Sequence, residues 1–228
     1  MCGRYASSRG ADHLVEHFEV EEPPEQALPP SWNVAPTDPV HVVAVRHGVR
    51  VLRVARWGLR PAWHSGKGRP LINARRESVA STPAFRSAFA RRRCLVPADG
   101  YYEWQPDGDG KQPWFLTSRD GAPLAMAGLY EPGPDGWTCT VLTTSAPDEL
   151  GAIHDRTPLL VPRGHWRRWL DPDATHPGED LLVPGTAGVL DAWPVGAAVG
   201  SVRNNGPDLV APVVPAPTLI LEPLPGTG

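Results

Sequence analysis

The chain begins Met1-Cys2-Gly3-Arg4, and its second residue carries chemistry that few positions can. Cysteine is small enough for methionine aminopeptidase to remove Met1. Cys2 then holds a free α-amine and a thiol on adjacent carbons. The amine condenses with an aldehyde to an imine, and the neighbouring thiol closes a five-membered thiazolidine. An unperturbed α-amine titrates near ~7.7–8.0 and a thiol near ~8.5, so both have a reactive fraction at neutral pH. The competing reading is an incidental cysteine on a loosely ordered terminus.

Three further polar residues stand in segments suited to acid–base work. Asn73 follows the apolar pair Leu71-Ile72. Glu103 sits among aromatics in Asp99-Gly100-Tyr101-Tyr102-Glu103-Trp104. Rings around a carboxylate desolvate it and raise its pKa toward a useful range. His154 follows a short helical stretch in Ile153-His154-Asp155-Arg156. Each has a plainer reading. Asn73 is then a turn residue, Glu103 a solvent-face strand residue on the same side as Tyr101, and His154 a structural histidine.

These residues need elements to hold them. Leu14, Val15 and Phe18 fall at helical spacing in 11–19. Val40–Val45 and Val49–Ala55 alternate around His47-Gly48 and predict a hairpin. Thr82-Pro83 predicts a helix N-cap, with Phe85 and Phe89 as an apolar pair and Arg91-Arg92-Arg93 at the C-terminal end. Cys94–Pro97, Tyr101–Trp104, Trp114–Thr117, Leu124–Tyr130 and Trp137–Thr143 predict successive strands. Pro147–Ile153 and His165–Leu170 predict short helices. The class is α+β: a mainly antiparallel β-sheet, barrel-like, with short peripheral helices. Residues 1–222 form a single domain, with a flexible tail at 223–228.

Composition sets the remaining bounds. A chain of 228 residues is long enough for one sizeable core. Three cysteines are too few for a disulfide framework, and Cys94 and Cys139 lie in apolar runs as buried thiols, which suits a reducing cytosol. No stretch approaches the ~20 apolar residues of a membrane span. The histidines and cysteines show no zinc spacing, and no phosphate loop or dinucleotide fingerprint is present. We therefore expect no metal, no cofactor and a cytoplasmic monomer. From Arg46 to Arg93 there are thirteen Lys or Arg and one acid, Glu77, although the net charge is −3. A basic block with interleaved Trp57 and Trp63 suits an anionic polymer with stackable bases. The alternative is a solvated surface scattered over several elements.

The chain resembles the SOS response-associated peptidase family, whose members sense abasic sites in single-stranded DNA. The resemblance rests on MCGRY at the terminus, WNVAPT at 32–37, RWGLRPAW at 56–63, LINARRES at 71–78 and RRRCLVPADGYYEW at 91–104. It continues through AGLY at 127–130, LTTSAP at 142–147, IHDRTPLLV at 153–161 and VRNNGPDL at 202–209. The resemblance implies that Cys2 attacks the ring-opened sugar and forms a thiazolidine crosslink. It implies that Asn73 hydrogen-bonds the Cys2 amine or the adduct. Glu103 would promote sugar opening and reversal, and His154 would be the acid–base partner. Arg4, Arg75 and Arg156 would bind flanking phosphates. Trp63 would wedge against bases, and Asn33, Pro36 and Thr143 would line the site. Position 64 is His where members often carry a second Trp. Thr157 replaces a usual Met and is read as peripheral. Two other readings stand beside this one: a thiol-dependent autopeptidase using Cys2, and a non-catalytic single-strand binding module.

Overall fold

A computed structural model describes residues 2–61, 63, 68–146, 150–182, 189–213 and 219–220. The first half holds β1 (Tyr5–Ser7), α1 (Ala11–His17), β2 (Ser31–Val34), β3 (Pro39–Arg46), β4 (Val49–Trp57), β5 (Asn73–Arg75) and α2 (Arg86–Arg91). Five long strands follow: β6 (Arg93–Ala98), β7 (Gly100–Asp107), β8 (Gly110–Ser118), β9 (Leu124–Gly133) and β10 (Gly136–Ser145). The chain closes with α3 (Leu150–Ile153), β11 (Arg156–Pro158), α4 (Trp166–Leu170), β12 (Leu190–Pro194) and β13 (Leu219–Ile220). The tail expected at 223–228 lies outside the described residues, as does the start of the helix expected at Pro147.

The strands form two sheets. One has the order β13-β12-β8-β7-β1-β2. In the other, β10 pairs with both β4 and β9, so β10, β4, β3, β6 and β9 join into a ring. Most pairings are antiparallel, and β10 runs parallel to β4 and β5. The expected α+β class and barrel-like sheet are therefore both present. The hairpin from β3 to β4 turns on His47-Gly48, with φ of 53° and 82°. Both central residues being left-handed matches the twist of the flanking strands, and Gly48 adopts it without a Cβ penalty.

Alternation along the strands divides the core. Val40, Val42, Ala44, Cys94 and Val96 pack in one cluster with Cys2 and with Tyr5, Tyr101 and Leu116 of the first sheet. Val43, Leu52 and Leu95 point the other way and pack with Leu14 of α1 and Phe18 just after it, Phe89 of α2, and Trp166 and Trp169 of α4. The period of two thus gives each strand one face for the second sheet and one for the helices.

Two local expectations change. Thr82 does not cap a helix; α2 begins at Arg86 and has no side-chain cap. The Thr82 hydroxyl instead donates to the Ser78 carbonyl at 2.8 Å, a local bond that competes with capping. Arg93 is not an exposed C-terminal cation. It is buried in β6 and donates to the carbonyls of Phe89, Ala90, Trp169, Asp171 and Ala174. One guanidinium thereby terminates α2 and ties it to the end of α4. An unsatisfied buried acceptor costs roughly 1–3 kcal/mol. Replacing Arg93 by Met keeps the apolar stem and removes every donor, so it should cost about 3 kcal/mol or more. A denaturant titration checks this, and an unchanged midpoint would show that water replaces the guanidinium.

Candidate functional site

The site lies between the two sheets, where the N-terminal segment runs alongside β7, the Tyr102 amide donating to the Arg4 carbonyl at 3.0 Å. Cys2 is fully buried and packs with Tyr5 and Tyr101. Its carbonyl accepts a hydrogen bond from Asn73 Nδ2 at 2.7 Å. Its sulfur lies 4.0 Å from the Arg4 carbonyl oxygen. Burial pushes the thiol pKa far up, and the nearby negative charge of Glu103 adds to the shift. The ready thiolate fraction expected at neutral pH is therefore absent in this state. Burial also raises the Cys94 and Cys139 thiols. All three cysteines are free and buried, so burial alone does not single out Cys2. Its neighbours do.

Asn73 is delivered by β5, which lies parallel to β10 with Asn73 opposite Val141 and Arg75 opposite Thr143. Trp57 fixes the approach to β5: it is fully buried, and its indole donates to the Ile72 carbonyl at 2.9 Å. Trp57 is thus a core residue, not the stacking surface its place in the basic block suggested. Asn73 Oδ1 is buried without a hydrogen-bond partner among the described residues. An acceptor left in that condition costs free energy unless a donor arrives.

Glu103 shares a face of β7 with Tyr101, as alternation requires, but that face is inward. Glu103 is 3% exposed. A Cβ at Gly100 would run into the Phe115 ring and the Leu116 carbonyl, so glycine lets β7 lie tightly on β8 just before these residues. Burial pushes the Glu103 carboxyl up to about 7. His154 ends α3, its amide donating to the Leu150 carbonyl at 3.0 Å. Gln105 of β7 donates to the Ala152 carbonyl at 2.9 Å and ties that helix over the site. His154 Nε2 lies 3.9 Å from Glu103 Oε2. His154 Nδ1 accepts the Arg156 backbone N–H at 3.0 Å. Asp155 Oδ1 is also 3.0 Å from Nδ1, but Asp155 is open to solvent. The backbone N–H can only donate, so it decides the tautomer, and the ring proton belongs on Nε2, towards Glu103. Burial lowers the His154 pKa, which favours the neutral ring.

The expected phosphate ligands differ in freedom. Arg4 is partly buried and donates to Asn33 Oδ1 and to the Val199 carbonyl, both at 2.9 Å. Asn33 is itself buried and donates to the Ser201 and Asn204 carbonyls. Its amide is spent on the protein, so it supports Arg4 from behind. Thr143 is fully buried, and its backbone oxygen accepts from Arg156 Nη2 at 2.7 Å. Arg75 is exposed, with no hydrogen bond to its guanidinium among the described residues. Pro36 is half-buried. Trp63 is 69% exposed, the one exposed tryptophan among the described residues. His64 lies outside them. The basic block does not form one patch. Arg50 and Arg53 pair with Glu19 and Glu22, Arg92 pairs with Glu131, and Arg93 is internal.

The family model for SOS response associated peptidase (SRAP) matches residues 1–202. The chain belongs to this family. A family relative named abasic site processing protein YoaM, from Bacillus subtilis, is 34% identical over 221 residues, covering 92% of this chain and 97% of its own. Abasic site processing protein YedK from Escherichia coli is 33% identical, covering 93% of this chain and 100% of its own. A solved structure from Bordetella bronchiseptica superposes with a TM-score of 0.71 at 27% identity, covering 86% of this chain and 100% of that one. One from Bacteroides thetaiotaomicron gives 0.82 at 21% identity, over 93% of this chain and 100% of that one, which establishes the likeness of fold.

Sequence reading missed several parts of this candidate site. Thr157 is not peripheral: it is buried, and its hydroxyl lies 2.8 Å from the Tyr101 hydroxyl. Both line a small pocket with Glu103, Ile153, His154 and Arg156. Asn205 also joins the site's supports, its side chain accepting from the Trp32 amide at 2.8 Å. The asparagine pair in VRNNGPDL was the available signal, since adjacent asparagines before glycine suggest side chain–backbone bonds. A cleft of about 860 Å³ runs between Glu19, Arg50, Arg167 and Asp173 and includes none of the expected site residues.

Proposed function

We propose that this protein captures abasic sites in single-stranded DNA through a thiazolidine formed at Cys2 after loss of Met1. The observation that carries the reading is the set of groups around residue 2: Asn73 bonded to its carbonyl, and the buried Glu103 with His154 beside it. The names of the relatives supply the substrate.

The chemistry balances without a redox step. Opening of the cyclic sugar removes a proton from the anomeric hydroxyl and delivers one to the ring oxygen. The α-amine then adds to the aldehyde, and water leaves as the imine forms. The thiol adds across the C=N bond: sulfur joins carbon, and its proton goes to nitrogen. Glu103, with its pKa near neutrality, can take the first proton and return it to the ring oxygen. Neutral His154 contributes an Nε2–H hydrogen bond. The open acceptor of Asn73 suits the new amine.

Arg4, Arg75 and Arg156 would contact phosphates, and Trp63 would stack on a base beside the lesion. Such contacts read backbone and ring faces, not sequence. Arg75→Ala should weaken binding to all single strands about equally and reduce the salt slope by ~0.7. Fluorescence anisotropy across a salt series measures both, and a loss confined to one sequence would make Arg75 a base reader.

The function itself is tested with an oligonucleotide carrying one abasic site, run on a denaturing gel. A covalent band supports capture. Retention without a band would leave a binding module, and peptide cleavage without a DNA adduct would make the protein a peptidase.

A further inference from the structure

Arg156 is gripped from two sides. Its Nη2 donates to the Thr143 backbone oxygen at 2.7 Å and lies 3.3 Å from the Thr143 hydroxyl. On the other side Glu77 receives Nη1 and Nη2 on its two carboxylate oxygens, at 2.8 and 3.0 Å. This parallel fork is the geometry an arginine offers to a phosphate. The partners are unequally held: the Arg156 side chain is 11% exposed and that of Glu77 is 43% exposed. Thr143, with the Ser145 hydroxyl 3.5 Å from Nη1, holds the guanidinium on the buried side, and Glu77, which also lies 4.0 Å from Arg76 Nε, is the more exposed partner. The pairing with Arg156 holds the Glu77 carboxyl below its ordinary pKa, so it is ionised at neutral pH. Glu77 is also the only acid between Arg46 and Arg93, and it stands two residues beyond the exposed Arg75.

We infer that Glu77 is a specificity-determining residue: its carboxylate occupies the phosphate position on Arg156, and an incoming strand must displace it. The inference rests on Arg156 being a phosphate contact. A built-in competitor weakens non-covalent binding to every strand. Covalent capture makes up that loss only where an aldehyde is present. The protein therefore releases intact strands and is retained at lesions, a discrimination that attractive contacts alone do not give.

The test compares wild type, Glu77→Gln, Arg156→Gln and the double variant for binding to an intact single-stranded oligonucleotide by fluorescence anisotropy. Glutamine keeps the size and removes the charge, and a thermal melt checks that each variant is folded. Glu77→Gln should bind intact strand roughly tenfold tighter, the scale of one charge-assisted contact. The gain should vanish in the Arg156→Gln background. Equal or weaker binding by folded Glu77→Gln overturns the inference, and so does a gain that persists without Arg156. Crosslinking of an abasic oligonucleotide by the same wild-type preparation separates the two proposals. A protein that crosslinks but shows no gain in Glu77→Gln loses only the competitor. One that neither crosslinks nor retains a strand loses both.

Discussion

Cys2→Ser should abolish the stable adduct with abasic DNA while leaving retention of intact single strand near the wild-type value. The side chain is fully buried, so it does not touch the phosphates of a bound strand. Serine keeps the α-amine and loses only the sulfur. The imine step survives, and borohydride should trap it in the variant. The ring-closing step does not survive, because a hydroxyl adds to an imine far less readily than a thiol. A denaturing gel with and without borohydride reads both steps. A stable, untrapped adduct of normal yield in Cys2→Ser would sink the thiazolidine. Cys94 and Cys139 are the internal controls: their thiols are equally buried, in β6 and β10, but neither residue can carry a free α-amine beside its sulfur.

Glu103→Gln should slow both formation and reversal of the crosslink, by on the order of 10²-fold if proton transfer is its main role. Glutamine keeps the shape and hydrogen bonding but carries no proton. The pH dependence gives a second readout. With its pKa held at about 7 by burial, the carboxyl is ionised above neutrality and can accept the anomeric proton. Below neutrality it is protonated, and that limb of the formation rate should fall. The limb should be missing from the Gln variant. Binding to an abasic analogue that cannot open should change little. A time course of adduct formation, followed by chase with a competing abasic oligonucleotide, measures both directions. Wild-type rates in both phases would leave Cys2 working with His154 and Asn73 alone.

Much of the architecture was legible in the sequence because its causes are local. Period-two alternation gave the long strands, His47-Gly48 gave the hairpin turn, and the spacing of Leu14 and Phe18 gave α1. The Thr82 cap failed because two local hydrogen bonds compete there, and composition does not say which wins. Motif resemblance brought Cys2, Asn73, Glu103 and His154 together by analogy, but not their environment. The distinction matters most for charge. A run of basic residues looks like a binding surface when written on a line. Strand alternation and pairing send Arg93 into the core and Arg50 and Arg53 to acids beside α1.

By itself the sequence determined the aminothiol, since adjacency of an amine and a sulfur on residue 2 is covalent and needs no fold. It also determined the faces of the strands, because side chains alternate wherever a chain is extended. Only the tertiary structure decided the protonation chemistry. Whether Glu103 faces water or the space between two sheets changes its pKa from an ordinary carboxylate value to about 7. That change arises from desolvation by residues distant in sequence. The same holds for the pairing of Arg156 with Glu77, which lie in separate motifs and meet only because β5 and β11 both pair with β10.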